Sequence, residues 1–225
     1  MDEFDFQGDE LKHTLKEIEQ INNRLGGNQV TLSGIQRLMK SNPKSSYTII
    51  DIGCGSGGFL KNLAIWAKKK RISVNLIGVD ANPHTIEWAQ DLAEKENAAI
   101  SFQVMDVFSE YFNQIEADIV TCNLTLHHFD DMKILHLLQQ ISRNAHIGVV
   151  INDLHRSKLA YRLFQAYAVL FMKSKIAKHD GLISILRGFR KNELVDFSHQ
   201  LGTTYSYYLQ WKWAFRWLWI IEQKH

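Results

Sequence analysis

Apolar residues follow two different spacings along this chain, and the change between them marks its organisation. Residues 9–25 place leucine or isoleucine every three or four positions, which predicts an amphipathic helix ending at "LGGN", and a second short helix follows around 32–39. From residue 47, short apolar runs alternate with helical segments, a pattern that predicts a buried parallel sheet. The predicted strands are 47–53, 73–80, 100–106, 117–123 and 146–154, and the helices between them are 57–70, 83–97 and 130–143.

The pattern changes after residue 155. An aromatic-rich helix over 159–172 leads into a basic loop that contains "HDG" (179–181), and a further helix is predicted near 191–201. The last stretch, "TTYSYYLQWKWAFRWLWIIEQ", alternates aromatic and polar residues with a period of two, which is typical of a strand. Because single strands usually span roughly 3–10 residues, we expect this stretch to fold back near 212–215 as an antiparallel hairpin at the sheet edge.

These elements predict one α/β domain over residues 1–225. Its fold class is a Rossmann-like, seven-stranded mixed sheet with helices on both faces and an antiparallel C-terminal hairpin. The expected segments are an N-terminal helical cap (1–45), a cofactor-binding core (46–154), a lid or substrate segment (155–202) and the C-terminal hairpin (203–225).

The composition argues against several classes of protein. The chain is 45% hydrophobic and 22% charged with a formal net charge of +2, which is typical of a globular protein and gives no indication of a nucleic-acid partner. Two cysteines are too few for a disulfide scaffold, and no metal-ligand spacing is present. The acidic start lacks a signal-peptide core, and the apolar runs are shorter than the roughly 20 residues that span a bilayer. We therefore expect a cytoplasmic protein without a transmembrane segment, either a monomer or a homodimer; the lysines at 173, 175 and 178 leave a weak membrane-surface contact open.

Polar residues end four of the predicted strands: Asp51, Asp80, Asp106 and Asn123. Because parallel strands direct their carboxyl ends to one edge of a sheet, these side chains should lie close together at the ligand-binding edge. A cluster of carboxylates repels phosphate groups. It suits hydroxyl groups, an adenine amino group and cations.

A glycine loop follows the first strand in "IIDIGCGSGGFL". Gly53, Gly55 and Gly58 fit G-x-G-x-x-G, and Asp80 follows about 20 residues later, so a dinucleotide site is one interpretation. Two acids favour a different ligand. Asp51 at the strand end suits a ligand ammonium group, and Asp106 lies where an adenine edge would be expected.

Four segments, "DIGCGSGGF", "GVDANPHTIEWA", "VMDVF" and "ADIVTCNLTLHHFDD", occur in order over residues 47–131. Together they resemble the successive motifs of class I S-adenosylmethionine-dependent methyltransferases. "LTLHHFDD" is similar to the ubiquinone/menaquinone-type small-molecule branch, and the flanks are more loosely similar to methyltransferases associated with polyketide biosynthesis.

The resemblance implies S-adenosyl-L-methionine as the cofactor and assigns roles to residues of the core. The glycine loop would approach the methionine part, Asp51 its ammonium group and Asp80 the ribose hydroxyl groups. Asp106 and Val107 would line the adenine, Asn123 would lie beside the reactive centre, and the N-terminal glycines would close over the cofactor. The implied cofactor-binding set is Asp51, Gly53, Cys54, Gly55, Gly57, Asp80, Ala81, Asp106, Val107, Asn123, Gly26 and Gly27.

Histidines and aromatic residues are the candidates for acceptor binding and catalysis. An unperturbed imidazole titrates near pH 6.5 and can accept a proton from a phenol or an acid. We take His127 and His179 as catalytic candidates, although each could instead be structural or solvated. The aromatic helix could line a lipophilic pocket or belong to the core. The candidate substrate-binding residues are His128, His155, Tyr161, Phe164 and Tyr167.

The predicted function is methyl transfer to a small hydrophobic molecule, with O-methylation of a phenolic or polyketide-like acceptor as the leading hypothesis. C- or N-methylation of a small metabolite is an alternative. So are an NAD(P)-dependent oxidoreductase, which would use the glycine loop as a dinucleotide site, and a protein that binds S-adenosylmethionine without catalysis.

Overall fold

The computed structural model describes residues 7–224. Seven strands form a single mixed sheet in the order β3-β2-β1-β4-β5-β7-β6. The first five strands are parallel, and β7 runs antiparallel to both β5 and β6, which confirms the predicted sheet and C-terminal hairpin. The strands are β1 Ser46–Ile52, β2 Ser73–Asp80, β3 Ser101–Val104, β4 Ala117–Asn123, β5 Ala145–Leu154, β6 Tyr205–Lys212 and β7 Arg216–Gln223.

Helices cover both faces of the sheet, as predicted. One core cluster packs α2, α3 and α4 against the sheet, and the other packs α5 and α8 against the opposite face. The helices are α1 Gly8–Arg24, α2 Gly27–Ser41, α3 Gly58–Lys70, α4 Pro83–Lys95, α5 Asp131–Asn144, α6 Lys158–Phe171, α7 Lys175–Arg187 and α8 Lys191–Gln200, with short 3₁₀ turns at Glu110–Gln114 and Leu126–His128.

Local capping explains where the helices begin. Asn82 precedes Pro83 and accepts hydrogen bonds from the His84 and Thr85 backbone N–H groups at 2.8 and 3.1 Å. An Asn cap followed by proline in the first turn is a strong helix start, because proline lacks the N–H that would otherwise be unsatisfied. These contacts fix the direction of α4 directly after the end of β2.

The predicted loop around 179–181 was wrong, because these residues belong to α7. Ser174 caps this helix by accepting from the Ala177 N–H at 3.1 Å. The missing side chain of Gly181 leaves room for the Phe164 ring of α6, which lies 2.4 Å from where a Cβ would be. Close packing between α6 and α7 therefore requires glycine inside this helix.

The hairpin turns at residues 213–215, within the predicted interval, without glycine, asparagine or proline. Ala214 and Phe215 adopt left-handed backbone angles with φ of 61° and 55°. L-residues pay about 1–2 kcal/mol for this conformation, so tertiary packing must hold the turn in place. Within residues 7–224, no helix is long and apolar enough to cross a membrane.

Candidate active site

The glycine loop joins β1 to α3 at the carboxyl edge of the sheet. Gly53, Gly55 and Gly57 all have left-handed backbone angles, with φ of 64°, 54° and 75°. A Cβ at Gly53 would collide with Thr125, and one at Gly57 would collide with Phe102. A Cβ at Gly55 would meet only Leu15, at 3.8 Å, so open space adjoins the backbone at the centre of the loop.

Asp80, at the end of β2, is tied to the glycine loop. Its Oδ2 accepts from the Gly55 N–H at 3.1 Å, and its Oδ1 accepts from the Asn82 N–H at 3.0 Å. Burial raises the pKa of Asp80, and these backbone N–H groups oppose the rise. Each carboxylate oxygen has two lone pairs, so Asp80 retains acceptor capacity for further donors.

Asp51, which is itself buried, lies one strand away in a polar network. Its Oδ1 accepts from Thr121 Oγ1 at 2.6 Å and from Asn123 Nδ2 at 2.7 Å, and Asn123 in turn accepts from Thr31 of α2. Burial raises the pKa of Asp51 to about 7; the bonds from Thr121 and Asn123 act against the rise, and the charge of Asp80 adds to it. A cation near Asp51 would favour its ionised form.

The N-terminus of α3 already holds a carboxylate. A Cβ at Gly58 would lie 2.4 Å from Glu19 Cδ, so the Glu19 carboxylate of α1 lies directly against the first turn of α3. Ser56 Oγ donates to Glu19 Oε2 at 2.8 Å. Helix N-termini stabilise anions, and this contact shows that the loop accommodates one.

A second feature is a largely apolar cavity of about 330 Å³ beyond the ends of β4 and β5. Its walls come from α1, the segment after β4, α6, α7 and the hairpin turn, so the N-terminal and C-terminal halves of the chain both enclose it. Five residues other than glycine have left-handed angles in residues 7–224, and three of them, Leu124, Ala214 and Phe215, line this cavity. Backbone strain of this kind concentrates at functional sites.

His127 lies in the cavity wall and pairs with Asp153 at the end of β5. The distance between His127 Nδ1 and Asp153 Oδ1 is 2.7 Å, and both side chains are about 2% exposed. Burial alone would raise the pKa of Asp153, but the charge and hydrogen bond of His127 outweigh it and leave the pKa below its usual value. His127 Nε2 is buried and has no hydrogen-bond partner among residues 7–224. In the neutral form of His127, an Nδ1–H held by Asp153 leaves Nε2 as a proton acceptor.

Comparison with known proteins identifies the core. Residues 49–148 match the family described as "Methyltransferase domain". The chain contains a methyltransferase domain. The resemblance drawn from residues 47–131 is thereby confirmed.

Curated relatives of this methyltransferase domain differ in acceptor chemistry. The chain is 27% identical over 141 residues to a "Ubiquinone biosynthesis O-methyltransferase" of Rickettsia bellii, covering 60% of the chain and 55% of the relative. It is 24% identical over 106 residues to "Phosphoethanolamine N-methyltransferase 1" of Arabidopsis thaliana, covering 47% and 20%. The chain therefore spans about half or less of the length of these relatives.

Solved structures share the fold of this methyltransferase domain over nearly the whole chain. The plantazolicin methyltransferase BpumL, in complex with a pentazolic desmethylPZN analog and SAH, has a TM-score of 0.70 at 17% identity and covers 93% of this chain and 90% of its own. Magnesium protoporphyrin IX methyltransferase (ChlM) from Synechocystis PCC 6803 with bound SAM has a TM-score of 0.59 at 14% identity, covering 92% and 84%.

The remaining cofactor candidates of the methyltransferase domain have varied surroundings. The exposed Asp106 accepts from the Phe108 N–H at 2.9 Å, and Val107 packs in the core. Burial raises the pKa of the Cys54 thiol well above its usual value, which agrees with a small buried residue and not with a nucleophile. Gly26 and the half-buried Ala81 lie at loop positions.

Gly27 has a packing role. A Cβ there would lie 1.8 Å from Asn22 Oδ1 and 2.9 Å from Arg216 Cζ. Only glycine therefore allows α2 to begin between α1 and the start of β7.

The cavity brings together some acceptor candidates and leaves out others. His128, Phe164 and Tyr167 line it, as does His155, whose Nδ1 accepts from Trp211 Nε1 at 3.2 Å. Two candidates lie away from the cavity. His179 is exposed on α7 and does not line the cavity, and Tyr161 is half-buried and also lies outside its wall. Because α7 is a helix, its packing turns Asp180 and Gly181 toward the cavity and His179 toward solvent.

Sequence reasoning missed Asp153, Arg216 and Glu19. Asp153 ends β5 within "INDL", so the strand-end argument that selected Asp51 and Asp80 also applied to it. Arg216 was detectable as a single charge within the apolar run "WAFRWLWII". No pattern in the sequence distinguishes Glu19 from the other acids of α1.

Proposed function

We propose that this protein transfers a methyl group from S-adenosylmethionine to a hydroxyl oxygen of a hydrophobic, phenolic or polyketide-like small molecule. The observation that carries this proposal is the buried His127–Asp153 pair in the wall of an apolar cavity at the carboxyl edge of the sheet. The methyltransferase domain and the fold shared with methyltransferases that bind SAM or SAH support the cofactor.

The glycine loop and its neighbours fit S-adenosylmethionine. The open space at Gly55 admits a ligand close to the backbone, and Asp80 can accept from ribose hydroxyl groups. The N-terminus of α3 suits the methionine carboxylate, which would displace Glu19 from that position. When bound, the sulfonium supplies the methyl group and leaves as a neutral thioether. Asp51 would compensate the charge of the methionine ammonium group.

Asp80→Ala is expected to weaken S-adenosylmethionine binding at least tenfold. A charge-assisted hydrogen bond contributes about 1.5–3 kcal/mol, and 1.4 kcal/mol corresponds to a tenfold change in affinity. Titration calorimetry measures the change, with Asp131→Ala, at the N-terminus of α5 and outside the glycine loop, as the control. Wild-type affinity in folded Asp80→Ala protein would remove Asp80 from the site.

Cofactor affinity is expected to rise roughly tenfold between about pH 5.5 and 7. The pKa of Asp51 is raised to about 7, so the free protein holds a proton there at low pH, and a bound ammonium group favours its release. Above about pH 8 the ligand amine itself loses its charge, so the window ends there. Calorimetry in buffers of different ionisation enthalpy should detect proton release on binding.

Asp51→Asn is the matched variant for this pH dependence. It should show a flat affinity across the same window. It should also raise thermal stability above pH 7. Between about pH 4 and 7 Asp51 ionises in the unfolded chain while burial keeps it protonated in the folded protein, so the wild type loses stability as pH rises through this window. An unchanged pH profile in Asp51→Asn would place the titrating group elsewhere.

In the acceptor step, His127 Nε2 would take the hydroxyl proton while Asp153 holds the ring in the required tautomer. The cavity would exclude water and align the acceptor oxygen, which is most of what methyl transfer needs from a protein. Incubation of the protein with S-adenosylmethionine and matched naphthols, naphthylamines and C-acidic diketones, read by mass spectrometry, tests the proposal. Methylation confined to amines or carbon acids would replace the O-methylation assignment. Binding of NADH without S-adenosylmethionine would favour the oxidoreductase alternative.

A further inference from the structure

Arg216 is the most unusual charge in the cavity wall. It begins β7, is 3% exposed, and pairs in register with Leu154 of β5 and Lys212 of β6. Its Nε and Nη1 atoms are buried and have no hydrogen-bond partner within residues 7–224. A buried guanidinium group with unpaired donors is strongly destabilising unless an anion reaches it.

No neighbour of Arg216 within residues 7–224 accepts a hydrogen bond from its Nε or Nη1. Asp153 Oδ1 accepts from His127 and from the Leu154 N–H, at 2.7 Å each, and its Oδ2 is buried without a hydrogen-bond partner within residues 7–224. The Asp153 charge therefore acts on Arg216 without a hydrogen bond to it. Asn22 Oδ1, beside the guanidinium at Gly27, is neutral and is itself unpaired. Burial lowers the pKa of Arg216 to about 10, with Asp153 opposing the change, so the group remains protonated at neutral pH.

The position of Arg216 in the sheet separates it from the cofactor. The glycine loop follows β1, and the sheet order β1-β4-β5-β7 puts Arg216 three strands away. Neighbouring strands lie about 4.8 Å apart, which gives a separation of about 14 Å across the sheet. An anion bound by Arg216 would therefore belong to the acceptor and not to the methionine part of the cofactor.

We propose that Arg216 binds a carboxylate of the acceptor, so that the natural acceptor is a hydrophobic hydroxy acid. Its ring or chain occupies the apolar cavity, its carboxylate meets the guanidinium fork, and its hydroxyl group reaches His127. A carboxylate brings a single negative charge to Arg216, whereas a phosphate dianion would bring two beside the buried Asp153. This inference deepens the proposed function and rests on it.

The test compares apolar carboxylates with their neutral amides of the same shape. The probes are 2-naphthoate, 4-biphenylcarboxylate and decanoate, each paired with its primary amide, and calorimetry on the full chain without cofactor gives the affinities. We expect at least one carboxylate to bind wild-type protein tenfold or more tightly than its amide. Equal affinities within every pair, or no binding of any carboxylate, would overturn the inference.

Substitutions test whether Arg216 causes the preference for carboxylates over amides. Arg216→Met should abolish it, and Arg216→Lys should reduce it because lysine lacks the two-pronged fork. Lys212→Met is the control: it removes a cation directly opposite in register but outside the cavity wall, and it should retain the preference. A preference that survives in Arg216→Lys and Arg216→Met contradicts the proposal. If Arg216→Met does not fold, the test rests on the affinities of each carboxylate and its amide for Arg216→Lys and for the wild type.

A methylation assay beside the binding test separates this inference from the proposed function. Incubation with S-adenosylmethionine and 3-hydroxy-2-naphthoate reports methyl transfer, while the binding comparison needs no cofactor. An Arg216-dependent carboxylate preference without methylation of any hydroxy acid would leave the anion site standing and reject the proposed reaction. Methylation of neutral naphthols by a protein that shows no carboxylate preference would support the proposed reaction and reject the anion site.

Discussion

His127→Ala is expected to lower kcat by about 10²–10⁴ with a phenolic acceptor while cofactor affinity stays unchanged. The imidazole is held by Asp153 at 2.7 Å, and its free Nε2 is the buried acceptor in the cavity wall. Without it, reaction depends on acceptor molecules that have already lost their proton. The loss should therefore shrink as pH approaches the pKa of the phenol, about 10 for a tyrosine-like group.

This pH-dependent recovery separates a base from a structural histidine, because a misfolded cavity would not regain activity at high pH. Asp153→Asn should lower kcat in the same direction, since the amide no longer fixes the Nδ1–H tautomer. His179→Ala is the comparison, because His179 is exposed and outside the cavity wall. Full activity in His127→Ala would mean that the protein accelerates the reaction by aligning the acceptor and not by a histidine base. A loss of activity confined to His179→Ala would instead identify His179 as the base.

Gly55→Val is expected to abolish S-adenosylmethionine binding in a folded protein. The φ of Gly55 is 54°, which is unfavourable for a β-branched residue. Within the protein, a Cβ at this position would approach only Leu15, so the valine side chain would start in the open space proposed for the cofactor. Calorimetry for binding and circular dichroism for folding measure the two effects.

Gly202→Val is the matched control for Gly55→Val. Gly202 also has a left-handed angle, with φ of 86°, and no atom lies within 4 Å of its Cβ position. It follows α8 and lies outside the glycine loop, so the substitution should cause a similar loss of stability and leave binding intact. Equal loss of binding in both variants would attribute the effect to folding, and normal binding in Gly55→Val would move the cofactor away from this loop.

Much of the fold was predictable because its signals are local. The period-two and helical patterns, the Asn82–Pro83 helix start and the glycine loop each occupy a few consecutive residues, and the five parallel strands followed from them. The errors arose where packing overrides local preference. Gly181 lies inside α7 because Phe164 fills the space that its side chain would occupy. The hairpin turns within the predicted interval, although Ala214 and Phe215 adopt a backbone conformation that the sequence does not favour.

The sequence by itself determined the methyltransferase domain, the sheet and the carboxylates at the strand ends, since parallel strands bring those ends to one edge. Only the tertiary structure decided which polar groups face the cavity. His127, which follows β4, forms a hydrogen bond with Asp153 near the end of β5. Arg216 lies in the cavity wall next to Gly27. The orientation of α7 places His179 outside the cavity wall. These outcomes depend on how distant helices pack and rotate against one another, and such contacts leave no periodic signal in the chain.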